Sequence, residues 1–236
     1  MAQNDGKRIL RSLKVAGIVV GLLWVIHFAL WLLEVNVGVL GIVPRSVAGL
    51  SGILTAPLVH GDIFHLMSNS APLFFFTAGM LYFYPRISAK AFAWMYLMTG
   101  VWVWIAAHEG SHIGASGIVY ALAGFLFFSG VFRRETRSIA LSLVIAFFYG
   151  GMVWGVLPGQ EGISWESHLF GLVAGAVCAF FYRKQDLPLR KKYNWEDDPE
   201  WDPNDDKAVW NYEKNWSGAR VVYVPNSSGP DNAGED

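Results

Sequence analysis

The chain has 236 residues, 53% of them hydrophobic, and a formal net charge of −1 at pH 7. The near-neutral total identifies no partner, and no nucleic acid is expected; the mean hydropathy of +0.34 averages two unlike parts. A single cysteine, Cys178, excludes an internal disulfide and any CxxC metal site, and within its apolar run it reads as a small packing residue.

Up to about residue 185 the chain is a series of apolar runs, each near the roughly 20 residues that cross a bilayer. Six spans are predicted, at about 15–33, 65–84, 89–107, 114–132, 137–156 and 165–182. The first follows Lys7, Arg8, Arg11 and Lys14. It exceeds the apolar stretch of a signal peptide and no small-residue cleavage site follows it, so it is read as an anchor. A long loop, about 34–63, is rich in Gly, Leu and Val. His65 and Asn69 open the second span, Ser116 the fourth and His168 the sixth. Beyond Asp186 the chain turns polar, acidic and rich in proline. That tail, 184–236, is expected to be largely irregular, with Trp195, Trp201, Trp210 and Trp216 able to dock on a partner or a membrane interface. Arg220–Val224 could form one strand, but an isolated strand has no stable partner. The last dozen residues read as disordered.

Charge orients the spans. The four N-terminal cations, Arg86 and Lys90, Arg133, Arg134 and Arg137, and Arg183, Lys184, Arg190, Lys191 and Lys192 all fall on one side, with Arg45 alone on the other. The positive-inside rule then places both termini in the cytoplasm. Spans 2, 4 and 6 run from outside to inside, so His65, Asn69, Ser116 and His168 share a depth about one helical turn below the outer face. His65 and Asn69, four apart, share a helix face. Gly171, Gly175 and Ala179 give span 6 a small face, and Gly117, Ala121 and Gly124 do so on span 4, so the two backbones can approach closely. A histidine within hydrocarbon is a functional candidate, and a serine within its reach is the minimum for nucleophilic catalysis.

These residues resemble the rhomboid intramembrane serine proteases. Gly114-Ala115-Ser116-Gly117 fits the family's GxSG motif, His168-Leu169-Phe170-Gly171-Leu172-Val173-Ala174-Gly175 its HxxGxxxG motif, and His65-Leu66-Met67-Ser68-Asn69 its HxxxN motif. Tyr120 matches the family's aromatic that packs on the catalytic histidine. The resemblance covers roughly 15–183. Ser167 stands where the family often has alanine, and the first loop contains Pro44-Arg45 without the Trp-Arg pair of many members.

The resemblance implies an all-α, six-helix membrane domain over 15–183, after a basic N-terminus at 1–14 and before the cytoplasmic tail. It implies a bacterial or archaeal protease of the cytoplasmic membrane, acting on membrane-anchored proteins near the outer ends of their spans. Ser116 would be the nucleophile and His168 its base, then the acid for the leaving amine. Glu166 lies two residues from His168 and points elsewhere on a helix, so a dyad is expected, its imidazole held by Tyr120. Asn69, His65 and the Ser116 N–H are the oxyanion donors, with Gly114, Gly117, Gly171 and Gly175 in support. The 157–164 loop suits a cap, and span 5 a lateral gate. No metal or other cofactor is expected. Two other readings are a catalytically silent rhomboid-like protein that binds membrane clients and a transporter or metal protein using His60, His65, His108, His112 and His168. No HExxH and no internal repeat favour the latter.

Overall fold

A computed structural model describes residues 2–159, 162–187, 190–193 and 221–224. Two compact units divide at Gln185–Asp186. In the first, helices follow the apolar runs: α1 (Ala2–Leu32), the single turn α2 (Gly52–Thr55), α3 (Ile63–Phe83), α4 (Ser88–Ala106), α5 (Ser116–Arg133), α6 (Thr136–Tyr149) and α7 (Trp165–Phe181). Among the described residues, three helical stretches, Asp5–Leu32, Ser116–Arg133 and Thr136–Val156, are long and apolar enough to cross a membrane.

Central α5 packs against α7, α6, α3 and α4, while α1 lies on α3 and α4 on α7. The α5–α7 contact rests on absent side chains. A Cβ on Gly171 would run into the Gly117 carbonyl oxygen, one on Gly175 into that of Ala121, and one on Gly124 would come within 2.6 Å of that of Leu172. In lipid, where burying apolar surface gains little, such close backbone approach is what holds helices together. Side-chain polar bonds add to it: Trp24 donates to Ser70 Oγ across α1 and α3 at 3.0 Å, and Ser142 donates from α6 to the Phe127 carbonyl of α5 at 2.6 Å. Cys178 is buried, its thiol 3.8 Å from the Ala91 carbonyl.

The helix ends differ in chemistry. At one end Arg133 donates to the Tyr182 carbonyl at 2.8 Å and to that of Gln185, with its guanidinium 4.6 Å from the Tyr84 ring centroid. Arg8 lies over Tyr82 at 5.1 Å. At the other end α3, α5 and α7 begin, and the long first loop folds against α4. There Arg45 donates to the Ala107 carbonyl at 2.8 Å, filling an acceptor that the helix end leaves open. Arg45 N–H also donates to the Trp104 carbonyl, and Trp104 Nε1 returns a bond to Ser46 O, each at 2.9 Å. The tryptophan that meets the loop arginine therefore comes from α4, not from the loop itself.

In three places the structure adds detail that hydropathy does not carry. α1 begins at Ala2, so the basic 1–14 segment is continuous with the first span; Lys and Arg are good helix formers and do not end a helix. The fifth span is not one α-helix. α6 ends at Tyr149 and Gly150–Val156 tightens into a 3₁₀ helix, because Gly150, Gly151 and Gly155 weaken the α-helical pattern. In the tail, Arg190–Tyr193 (β1) pairs antiparallel with Val221–Val224 (β2), Arg190 opposite Val224 and Tyr193 opposite Val221. The valine-rich strand thus has a partner about thirty positions upstream, beyond the reach of local periodicity. The four tail tryptophans, the last dozen residues, and Gln160 and Glu161 of the 157–164 loop lie outside the described residues.

Candidate active site

A cavity of about 1060 Å³ opens where α3, α5 and α7 begin, and Ser116, His168, His65, Asn69 and Tyr120 all line it. Ser116 is the first residue of α5, where backbone N–H groups lack intrahelical acceptors. His168 lies in the first turn of α7 and is buried. The contact joins Gly117, the residue after Ser116, to Gly171, about one turn below His168, so the glycine that admits α7 to α5 also brings the start of each helix together.

The imidazole is held on two sides. Tyr120 stacks on it with ring centroids 4.1 Å apart and planes 10° from parallel, and its hydroxyl donates to the Met152 carbonyl at 2.7 Å. His168 Nδ1 lies 2.8 Å from the Gly155 carbonyl. A carbonyl only accepts, so Nδ1 carries the proton and Nε2 is left with its lone pair. Both acceptors come from the 3₁₀ segment after α6. Glu166 takes no part: it accepts from the His108 backbone N–H at 3.1 Å and pairs with that residue's ring.

Opposite, α3 is capped by Asp62, whose carboxylate accepts from the His65 N–H at 2.9 Å. That bond and one from Phe64 N–H hold the Asp62 carboxyl below the usual carboxylate range. Asn69 Nδ2 donates to the His65 carbonyl one turn back at 3.1 Å. An amide has two N–H groups, so one remains for a ligand in the cavity. The His65 ring occupies the space a Cβ on Gly114 would take, and Gly114 has φ +107°, a conformation suited to glycine.

The other histidines are engaged separately. His112 Nδ1 meets Ser164 Oγ at 2.6 Å, and Ser164 Oγ meets Ser167 Oγ at 2.7 Å, tying the α4–α5 loop to the start of α7. His60 accepts from the Ala115 N–H at 3.2 Å and meets His65 edge-on. Among the described residues no three His, Cys, Asp or Glu side chains gather as a metal site. Sequence reasoning missed the Gly155 and Met152 carbonyls. The glycines of Gly150-Gly151-Met152-Val153-Trp154-Gly155 were the available signal for a break in the helix there.

Comparison with known proteins places these residues in context. An uncharacterized protein of Mycobacterium tuberculosis is 40% identical over 162 residues, covering 63% of this chain and 64% of its own length. One from Mycobacterium leprae is 34% identical over 144 residues, 55% of each chain. The Bacillus subtilis protein named "Putative rhomboid protease YdcA" is 29% identical over 136 residues, 54% of this chain and 65% of its own. The chain thus spans under two-thirds of these relatives' lengths. A model of the Rhomboid domain matches residues 47–185, more than half the chain and all of the cavity lining, so this membrane protein belongs to the rhomboid family.

Proposed function

We propose that the protein is an intramembrane serine endopeptidase that cuts membrane-anchored proteins with a Ser116–His168 dyad. The observation carrying this reading is that Ser116 and a histidine of fixed tautomer line one cavity. Ser116 Oγ attacks the scissile carbonyl as His168 Nε2 takes its proton. The oxyanion is met by the free Asn69 N–H, His65 and the Ser116 N–H. Collapse breaks the C–N bond, and the imidazolium gives its proton to the leaving amine. A water molecule, deprotonated by His168, then attacks the acyl-enzyme and releases Ser116. The Gly155 carbonyl, through Nδ1–H, does the orienting that a carboxylate does in a triad.

In this reading six segments cross the membrane, both termini are cytoplasmic, and the cavity faces outward. Gathering of Arg8 and Arg133 at the end away from the cavity supports that orientation. The 157–164 loop, whose described residues Gly159 and Gly162 line the cavity, serves as its cap in this reading, and α6 as the gate for substrate.

Cleavage of a model transmembrane substrate by purified protein in liposomes tests the reading. Ser116→Ala and His168→Ala should each lower turnover at least ~1000-fold, and the double variant should be no worse, since the pair acts as a unit. Wild-type binding of the substrate without cleavage would favour the silent, client-binding alternative. A reporter fused after Asp236 should be active only as a cytoplasmic fusion; activity as a secreted-side fusion would reverse the orientation.

A further inference from the structure

His60 belongs to none of the three motifs, yet it is buried, 1% exposed, beneath the nucleophile loop. The segment leading into Ser116 is tied to the first loop at successive points. His112 exchanges backbone bonds with Ile42, both at 2.9 Å, and Gly114 N–H donates to the Ala56 carbonyl at 2.9 Å. The third tie is made by a side chain: Ala115 N–H donates to His60 Nε2 at 3.2 Å. That bond requires Nε2 to be unprotonated, which leaves the proton on Nδ1. Nδ1 is buried with no partner among the described residues. Polar atoms left so are uncommon in folded proteins and call for a reason.

We infer that His60 is a positioning residue for the reaction proposed above: by accepting the Ala115 N–H it fixes the peptide plane next to Ser116 and so aims the Ser116 N–H and Oγ. The inference rests on the protease reading. The geometry gives the lever. Gly114, at φ +107°, is the pivot of the turn, and Ala115 is its last residue before α5. Freeing the Ala115 N–H lets the Gly114–Ala115 peptide rotate, and the adjoining Ala115–Ser116 peptide, which carries the Ser116 N–H at the first turn of α5, shifts with it. An oxyanion donor acts in the transition state, so misaiming it lowers kcat and leaves substrate affinity in place.

The test compares His60→Leu, which fills the space without an acceptor, with His60→Gln, whose amide oxygen reaches about where Nε2 lies. Turnover and KM for a transmembrane substrate, Ser116 labelling by a fluorophosphonate, and melting temperature are measured on one preparation of each full-length protein. His60→Leu should lower kcat and labelling rate by about 10- to 100-fold with KM within twofold. His60→Gln should recover most of that loss, even if both variants melt earlier. Two results overturn the inference alone: a His60→Leu variant that turns over and labels like wild type, or a His60→Gln variant that loses kcat as much as His60→Leu. If His60→Leu does not fold, a His60→Gln variant with wild-type melting and more than tenfold lower kcat overturns it, and near wild-type kcat supports it. Wild-type protein that neither cleaves nor labels overturns the protease reading, and this inference with it.

Discussion

The adjacent helices α5 and α6 are built on opposite plans. Of the 18 residues of Ser116–Arg133, 12 are buried; of Thr136–Val156, only Ser138, Ser142 and Ile145 are. α5 meets α7 through glycine and carbonyl contacts, whereas α6 presents Leu143, Phe147 and Phe148 outward as lipid-facing surface. Close backbone contacts resist movement, because there is no flexible side chain to yield. α6 has one such contact, Gly130 of α5 against the Ser138 carbonyl near its start, and beyond that point a helix held by a few side-chain bonds can shift at small cost. The proposed nucleophile and base both stand on the close-packed pair, and the looser segment supplies only carbonyls to orient them. In the proposed reading, chemistry that needs sub-ångström placement sits on the stiff side, and substrate access on the soft side.

Substitutions can break this contrast. Gly171→Ala should have the largest effect, because its Cβ has only the Gly117 carbonyl to displace. A loss of at least about 2 kcal/mol is expected, with cleavage falling alongside, measured by thermal melting and turnover of the same sample. A tolerated alanine would show that the α5–α7 contact is not tight.

Asn69→Ala separates chemistry from packing at the same depth. Turnover should fall by about tenfold to 1000-fold with little change in KM, since an oxyanion donor acts on charge that develops in the transition state. An unchanged kcat with a lowered melting temperature would reduce Asn69 to a packing amide. Tyr120→Phe keeps the stack on His168 and removes the hydroxyl bond to the Met152 carbonyl. A loss of about 1 kcal/mol, near fivefold in kcat, should follow. On the soft side, Phe147→Ala should change stability by less than about 0.5 kcal/mol, because the ring is 83% exposed and touches little of the bundle.

Stability should also respond to pH through His60. Burial first, then the neighbouring His65, pushes its pKa from 6.5 down to about 4. Between these values the unfolded chain binds the extra proton and the folded protein does not. The contribution is therefore complete above about 6.5 and is lost as pH falls toward 4. Melting temperature should therefore fall as pH is lowered from about 6.5 toward 4, and His60→Gln should flatten that dependence.

The helices of the first unit and the cavity lining were legible because both leave marks in residue identity. Apolar runs of spanning length marked the helices, and glycines with lone polar residues at matching depth marked His65, Asn69, Ser116 and His168. What stayed hidden depends on backbone groups or on distant partners. A carbonyl such as Gly155 O belongs to every residue and has no signature. The Arg45–Trp104 and His60–Ala115 bonds join positions nearly sixty apart, which no local pattern reports. The switch to 3₁₀ at Gly150 was written in three glycines, yet its hydropathy matches a continuing span. The β1–β2 ribbon failed the same way, since strand periodicity says nothing about a partner.

Fluorophosphonate labelling of purified protein, read by intact mass and mapped to a residue, tests the central claim most directly. Wild type should gain one adduct on Ser116, and Ser116→Ala and His168→Ala should gain none on the same timescale. Unlabelled wild type, or labelling undiminished in Ser116→Ala, would contradict a histidine-activated serine at the start of α5.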